Sequence, residues 1–217
     1  MRIDDQGHIE LTPKEMHAEA IGRPLRLIND VLLNGTPALF ATYSTYCDFL
    51  CAASERTGIH PRNLVVRGSC KHGYSIKPDV ERIWRKVSDE SDLDLAIVDV
   101  EYYRRIDAEL QAWEATNRAG YSAGDLPREY VDRQRDRFFN CCRDYRLPPA
   151  VCVHHQDTMT ALSDLVERIC GRKRHVSAFI FRDWWSVRQR YEYDLRELCR
   201  GVSRGSLTPP PDEPLPS

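Results

Sequence analysis

Two short stretches of this chain bring together residue types that could do chemistry: Gly68-Ser69, and the carboxylates Asp92 and Asp94 on either side of Leu93. In a strand, residues i and i+2 project to the same face about 7 Å apart, because each residue rises about 3.3 Å. A strand over residues 91 to 98 therefore makes Asp92 and Asp94 converge, while Leu93 and Leu95 face the opposite layer. Two carboxylates that close repel unless something cationic lies between them. Oxygen ligands on a rigid element suit Mg²⁺ (or Mn²⁺), which usually keeps substrate phosphates among its ligands. A pair of metals about 3.5 to 4 Å apart could be clamped there, activating an attacking hydroxyl and stabilising a leaving pyrophosphate. Gly68 lets the backbone approach closely, and the N–H groups around Ser69 and Cys70 can cradle phosphate oxygens. Lys71 and Lys77 lie in the same region and could offset the phosphate charge.

The elements that must position these residues can be read in outline. Residues 12 to 33 form a helix interrupted near Gly22 and Pro24, since proline removes a backbone donor and disfavours a helical residue before it. Residues 36 to 57 follow as a helix, with Thr36 as N-cap, Pro37 at the first position, and Phe40, Tyr43, Cys47, Leu50 and Cys51 on its apolar face up to Gly58. Asn63 to Val66 is a short β-branched strand that stops at Arg67-Gly68-Ser69, and residues 70 to 91 are a long loop with one helical turn around Ile83 and Trp84. Helices over 101–117, 128–145 and 157–170, a strand over 176–181 and a helix over 183–200 complete the pattern. The fold class is α/β: a small mixed β-sheet with helices packed on it, helical at the N-terminal end and closed by a C-terminal helix. Residues 1–60 are the N-terminal helical part, 61–200 the core with helical insertions, and 201–217 a tail with too little apolar content to order itself.

The phrases VRGSCKHGYSIKPD and SDLDLAIVD, followed by FIFRDWW and a Tyr-containing helix, resemble the nucleotidyltransferase superfamily typified by DNA polymerase β. They are similar in particular to small stand-alone bacterial members of toxin or anti-phage defence type. The resemblance covers residues 63 to 100 firmly and 174 to 200 loosely. It implies that Gly68 and Ser69 bind a nucleoside triphosphate such as ATP, and that Asp92 and Asp94 hold the catalytic Mg²⁺. The implied reaction is transfer of a nucleoside monophosphate to a hydroxyl of an RNA or tRNA 3′ end, a nucleotide oligomer or a protein, with RNA, DNA or a protein effector or antitoxin as possible partners. Two departures stand out: 22 residues separate Ser69 from Asp92, more than usual, and the later strand that normally supplies a third carboxylate has no acid. Asp183, just past that strand, is the candidate third catalytic residue. Without a third acid, the alternative is a degenerate member that binds nucleotide or a partner protein as a regulator.

Charge and composition narrow the setting. The 217 residues carry 31 Lys+Arg against 33 Asp+Glu, yet Arg128 to Arg204 alone has 16 against 11, a local +5 that leaves −7 for the rest. An arginine-rich second part suits a polyphosphate or nucleic acid, although helix salt bridges around Asp132, Asp136, Arg133, Arg135 and Arg137 would absorb some of it. Trp184 and Trp185 could stack on bases, but neighbouring helical positions cannot share a face, so one of them is expected in the core. The eight cysteines include no C-x-x-C pair, and Cys152, His154 and His155 lack a fourth ligand at zinc spacing. No apolar run approaches a bilayer span, and the start MRIDDQGHIE has neither a basic nor an apolar leader region, so the expectation is a cytoplasmic protein with reduced thiols and no membrane contact.

Overall fold

Capping residues and prolines fix where the first helices begin. The computed structural model describes residues 2–117, 128–143 and 152–211. After a small hairpin, β1 (Arg2–Ile3) with β2 (Ile9–Glu10), Thr12 and Glu15 form a reciprocal capping box that starts α1 (Pro13–Gly22). Pro24 restarts the chain as α2 (Pro24–Arg26), which runs into a π-helical turn over Leu27–Leu32. The expected interruption near Gly22 and Pro24 is there.

The next helix begins later than its composition suggests. Thr36 is drawn into a turn, with its hydroxyl donating to the Gln6 carbonyl at 2.7 Å, and α3 (Tyr43–Thr57) is capped by Thr42 instead. Its phase shifts accordingly: Tyr46, Phe49 and Ala53 face the core, whereas Tyr43 and Cys51 are exposed. Gly58 ends it in a left-handed conformation at φ 71°.

A four-stranded mixed sheet forms the centre, in the order β3 (Leu64–Arg67), β4 (Leu93–Val98), β6 (Val176–Phe181), β5 (Cys141–Arg143). β3 and β4 are antiparallel, β4 and β6 parallel, and β5 and β6 antiparallel. The helices α5 (Val100–Asn117) and α7 (Val153–Cys170) join α3 on one face, over Leu64, Val66, Leu95, Ile97, Ala178 and Ile180. On the other face α1, the π-helical turn and α8 (Trp184–Ser203) cover Val65, Ala96, Val98 and Phe181. A sheet buried on both faces explains why β4 turns wholly apolar after Asp94. The protein is thus mixed α/β, with eight helices among the described residues.

Three further expectations need correction. The helix placed over 128–145 stops early: α6 (Arg128–Phe138) ends, Asn140 turns at φ 47°, and Cys141–Arg143 becomes the edge strand, while 144 and 145 lie outside the described residues. Neither Trp184 nor Trp185 is in the core, because α8 inserts Val187, Tyr191, Leu195 and Leu198 instead. The chain beyond Gly201 is also better held than its composition suggests: Leu207 is buried against Gly201, and Thr208 accepts a hydrogen bond from Trp84 Nε1 at 3.0 Å. Residues 212–217 lie outside the described residues. No described helix is long and apolar enough to cross a membrane.

Burial also sorts the thiols. Cys70 and Cys152 are pushed up to about 11 and about 12 by burial, and Cys141 and Cys142 are driven up further. Since the thiolate is the reactive form, a thiol-specific disulfide reagent at pH 8 should modify exposed Cys51 first and leave these four untouched until denaturant is added. Fast labelling of any of the four in the native protein, followed by peptide mass mapping, would contradict the layered core.

Candidate functional site

β3 ends at Arg67, and the chain must then turn sharply without leaving the sheet. Gly68 does this at φ 64° and ψ −153°, a region essentially restricted to glycine, and caps the single-turn helix α4 (Ser69–His72). A side chain there would also have no room: a Cβ would lie 2.6 Å from Asp94 Oδ2. The antiparallel register that sets Arg67 opposite Asp94 creates this approach. A second link comes from Cys70, whose thiol donates to the Asp92 carbonyl at 3.3 Å. The Gly68-Ser69 turn and the Asp92/Asp94 pair are therefore brought together, as their residue types suggested.

The long stretch between them is a closed excursion. Tyr74 and Lys86 form an antiparallel bridge, Ser75 exchanges backbone hydrogen bonds with Trp84 and Arg85, and in place of the expected helical turn a hydrogen-bonded turn from Asp79, with Trp84 at φ 60°, puts Ile83 and Trp84 in the core. At its far end the Arg174 guanidinium donates to the carbonyls of Ser88 and Ser91 at 2.9 and 2.7 Å, and Leu93 N donates to the His175 carbonyl. These bonds fix the approach to Asp92.

The two carboxylates occupy different surroundings. Asp94 is half-buried on the α8 side of the sheet, and its Oδ1 accepts from Ser177 Oγ at 2.7 Å. Asp92 lies before β4 begins and is exposed, with His175 Nδ1 3.8 Å from its Oδ1. The pair sits at one end of β4, but only Asp94 belongs to the ladder. β6 does run beside β4, and the residue in register with Asp94 is Ser177, a hydroxyl and not a carboxylate.

Asp183 is not part of this cluster. β6 runs four residues from Ser177 to its end at Phe181, about 13 Å at the usual strand rise, and Asp183 lies past that end, where it caps α8: Oδ1 accepts from the Ser186 backbone at 2.8 Å and hydroxyl at 2.6 Å, and Oδ2 from Arg182 at 3.0 Å. Burial pushes its carboxyl up, but these bonds outweigh it and leave it below its ordinary value. It reads in sequence as a possible third acid and in structure as a helix cap.

Lys71 is also committed elsewhere. Its buried ammonium donates to the carbonyls of Asn34 and Gly35, the latter at 2.7 Å, so it holds a neighbouring turn and does not present a free charge. Burial lowers it to about 8. Lys77 is exposed in the loop, where its backbone N–H donates to Ser75 Oγ. His72 is held down to about 3, chiefly by burial and secondarily by Lys71 and Arg67, so its imidazole is neutral at ordinary pH.

Arg67 was not singled out by its sequence context. Its guanidinium lies 4.2 Å over the Phe179 ring and 4.7 Å over Tyr191, donates to the Tyr191 hydroxyl at 3.2 Å and approaches Asp194 at 3.8 Å. Burial opposes its charge, but Tyr191 and Asp194 outweigh it and raise its pKa, so a permanent cation sits directly in register with Asp94. Only the strand pairing reveals that. The arginine-rich second part is likewise largely internal at several positions: Arg133, Arg174 and Arg190 are buried, and Glu114 and Asp136 serve as counter-charges for Arg133, Arg137, Arg143 and Arg190. These arginines do not form an accessible basic face.

The donors at the β4 end are hard oxygens, with Asp94 Oδ2 turned to the bare α-carbon of Gly68 and Asp92 open to solvent, which fits a divalent cation sharing its remaining ligands with a phosphate. Among the described residues, no three His, Cys, Asp or Glu side chains converge as a ready-made metal cluster. His155 instead bonds the Tyr102 hydroxyl through Nδ1 at 2.8 Å, and Cys152 is buried in the core. Compared with family models, curated proteins and solved structures, the chain gives no match.

Two outcomes follow. Gly68→Ala should lose about 1–3 kcal/mol of unfolding free energy in urea, from backbone strain and displacement of Asp94; a variant as stable as its parent would show that the turn does not depend on glycine. For Lys71, the folded form releases its proton near pH 8 while the unfolded form keeps it to about 10.5. Because the unfolded state binds more protons in that window, the Lys71 contribution to stability rises with pH there. The stability difference between the wild type and Lys71→Met should therefore move in favour of the wild type from pH 8 to 10, and a flat difference would mean that Lys71 is solvated.

Proposed function

We propose that the end of β4 is a nucleoside triphosphate site and that the protein is a nucleotidyltransferase, moving a nucleoside monophosphate from the triphosphate to a hydroxyl and releasing pyrophosphate. The observation that carries this reading is the contact of Gly68 with the Asp94 carboxylate, with Asp92 at the same strand end. A glycine turn lets the backbone come close to a carboxylate, so that a phosphate chain held by the N–H groups of the turn and a cation held by Asp94 would lie side by side. Asp92 and Asp94 would hold Mg²⁺ or Mn²⁺, which supplies neutralisation of phosphate charge and polarisation of the acceptor hydroxyl. Ser177 fixes the Asp94 rotamer, Cys70 fixes the Asp92 backbone, and Ser69 lies beside the turn as a phosphate partner. The acceptor is an RNA 3′ end, another nucleotide or a protein hydroxyl. A cytoplasmic toxin or anti-phage role accords with the sequence resemblance.

One observation favours a second reading. The hydroxyl of Ser177 stands in register with Asp94, and Asp183 is a helix cap, so a third carboxylate is absent among the described residues near the pair. A site with two carboxylates can bind nucleotide and turn it over slowly or not at all, acting as a sensor or regulator. Incubation with each α-labelled triphosphate, Mg²⁺ or Mn²⁺ and a cell extract separates the two. Transfer of label to RNA, protein or an oligomer, reduced at least 100-fold in Asp94→Ala, is the expected result. Calorimetric binding of a triphosphate with no transfer supports the regulator, and neither binding nor transfer removes both.

A further inference from the structure

Beside the carboxylate pair, on the other side of His175, an open cleft of about 350 Å³ runs between α7 and the segment that leads into β6. That size falls within the roughly 300–1,000 Å³ of small-molecule sites and suits one mononucleotide, not a helix or a folded partner. Its floor is Met159, which is 8% exposed and offers a polarisable thioether to a flat ring. Gln156 and Thr160, one helical turn apart, form one wall. An amide with both donor and acceptor atoms beside a hydroxyl is what the edge of a nucleobase can be read by.

The mouth has a different character. Lys173 and His175 stand there, and Lys173 is paired with Asp164 at 3.4 Å with both side chains more than half exposed. An ion pair that open to water is weak and can be exchanged for another anion. Ser163 Oγ donates to the Arg174 carbonyl at 2.6 Å, so the segment carrying Lys173 and His175 is tied to α7 and the mouth is preformed. His175 then connects the two regions, lining the cleft while its Nδ1 lies 3.8 Å from Asp92.

From this arrangement we infer that the cleft binds a nucleoside phosphate, with its base against Met159 between Gln156 and Thr160 and its phosphate at Lys173 and His175, directed toward Asp92. The inference rests on the reading of the β4 end as a nucleotide site, and it supplies what that reading lacked, a place for a base. The ligand is the triphosphate donor or a nucleotide acceptor, which share this chemistry.

The sequence has three methionines, Met1, Met16 and Met159, so methyl-¹³C methionine labelling gives a sparse NMR spectrum in which Met159 is assigned by Met159→Leu. The four nucleoside monophosphates are titrated without divalent cation. A saturable shift of the Met159 methyl with at least one base is expected, while Met16, buried at 1% exposure in the opposite layer, stays in place as an internal control of folding. Thr160→Trp, which fills the cleft, should weaken binding at least 10-fold, and His175→Gln should weaken the monophosphate more than the corresponding nucleoside. No Met159 shift with any of the four, or an equal affinity in Thr160→Trp, overturns the inference. If Met159 responds but no label is ever transferred, the cleft stands and the transfer reading falls; if label is transferred while Met159 is silent, the reverse holds. Addition of a saturating non-hydrolysable triphosphate with Mg²⁺ then distinguishes the sources: displacement of the monophosphate identifies the donor's base, and simultaneous occupancy identifies an acceptor.

Discussion

The antiparallel register between Arg67 and Asp94 is the constraint on which the rest of the site depends. It places the first glycine after β3 against a carboxylate of β4, and nothing larger than glycine fits that position. A one-residue slip would move every β4 side chain to the opposite face and send Asp94 into the layer built by α3, α5 and α7. The apolar burial of Leu93, Leu95 and Ile97 on that side therefore does more than stabilise the sheet. It holds the one polar residue of the strand on the side where Ser177 and the glycine turn meet it.

Around that contact the molecule spends charge unusually far inside. Arg67 is stacked between aromatic rings, and Arg190 and Arg143 share the buried Asp136. Removing one partner from such a set leaves an uncompensated ion in low dielectric, which costs more than the intact pair contributes. The sheet face that carries Asp94 is thus lined by paired ions, Arg67 with Asp194 and Arg143 and Arg190 with Asp136, as well as by apolar side chains.

How much of this was legible in the sequence divides by the range of the interactions involved. The interruption at Gly22 and Pro24, the strand after Asn63, the strand leading out of Asp94 and the strand over Val176–Phe181 depend on local pattern, and all are present. The start of α3 was misplaced because Thr36 had a second offer, the Gln6 carbonyl from the N-terminal hairpin, which no local signal announces. Lys71 and Asp183 have the residue types of phosphate and metal ligands, yet tertiary partners claim both: the Asn34 and Gly35 carbonyls for one, the first turn of α8 for the other. Conversely, Arg67 and Ser177 gain their significance only from pairing across strands, and His175 from its approach to Asp92, relations that spacing along the chain does not encode.

The hydrogen bond from Trp84 Nε1 to the Thr208 carbonyl has a consequence for the order of synthesis. Trp84 belongs to the excursion between the glycine turn and Asp92, whereas Thr208 and the buried Leu207 come after α8. At translation rates of about 5–20 residues per second, residues 67 to 94 leave the ribosome several seconds before β6 and this final latch. During that interval β4 has only β3 beside it, Asp94 has no Ser177, and the excursion is unfastened at its buried tryptophan. The nascent chain therefore carries the site's residues without the site.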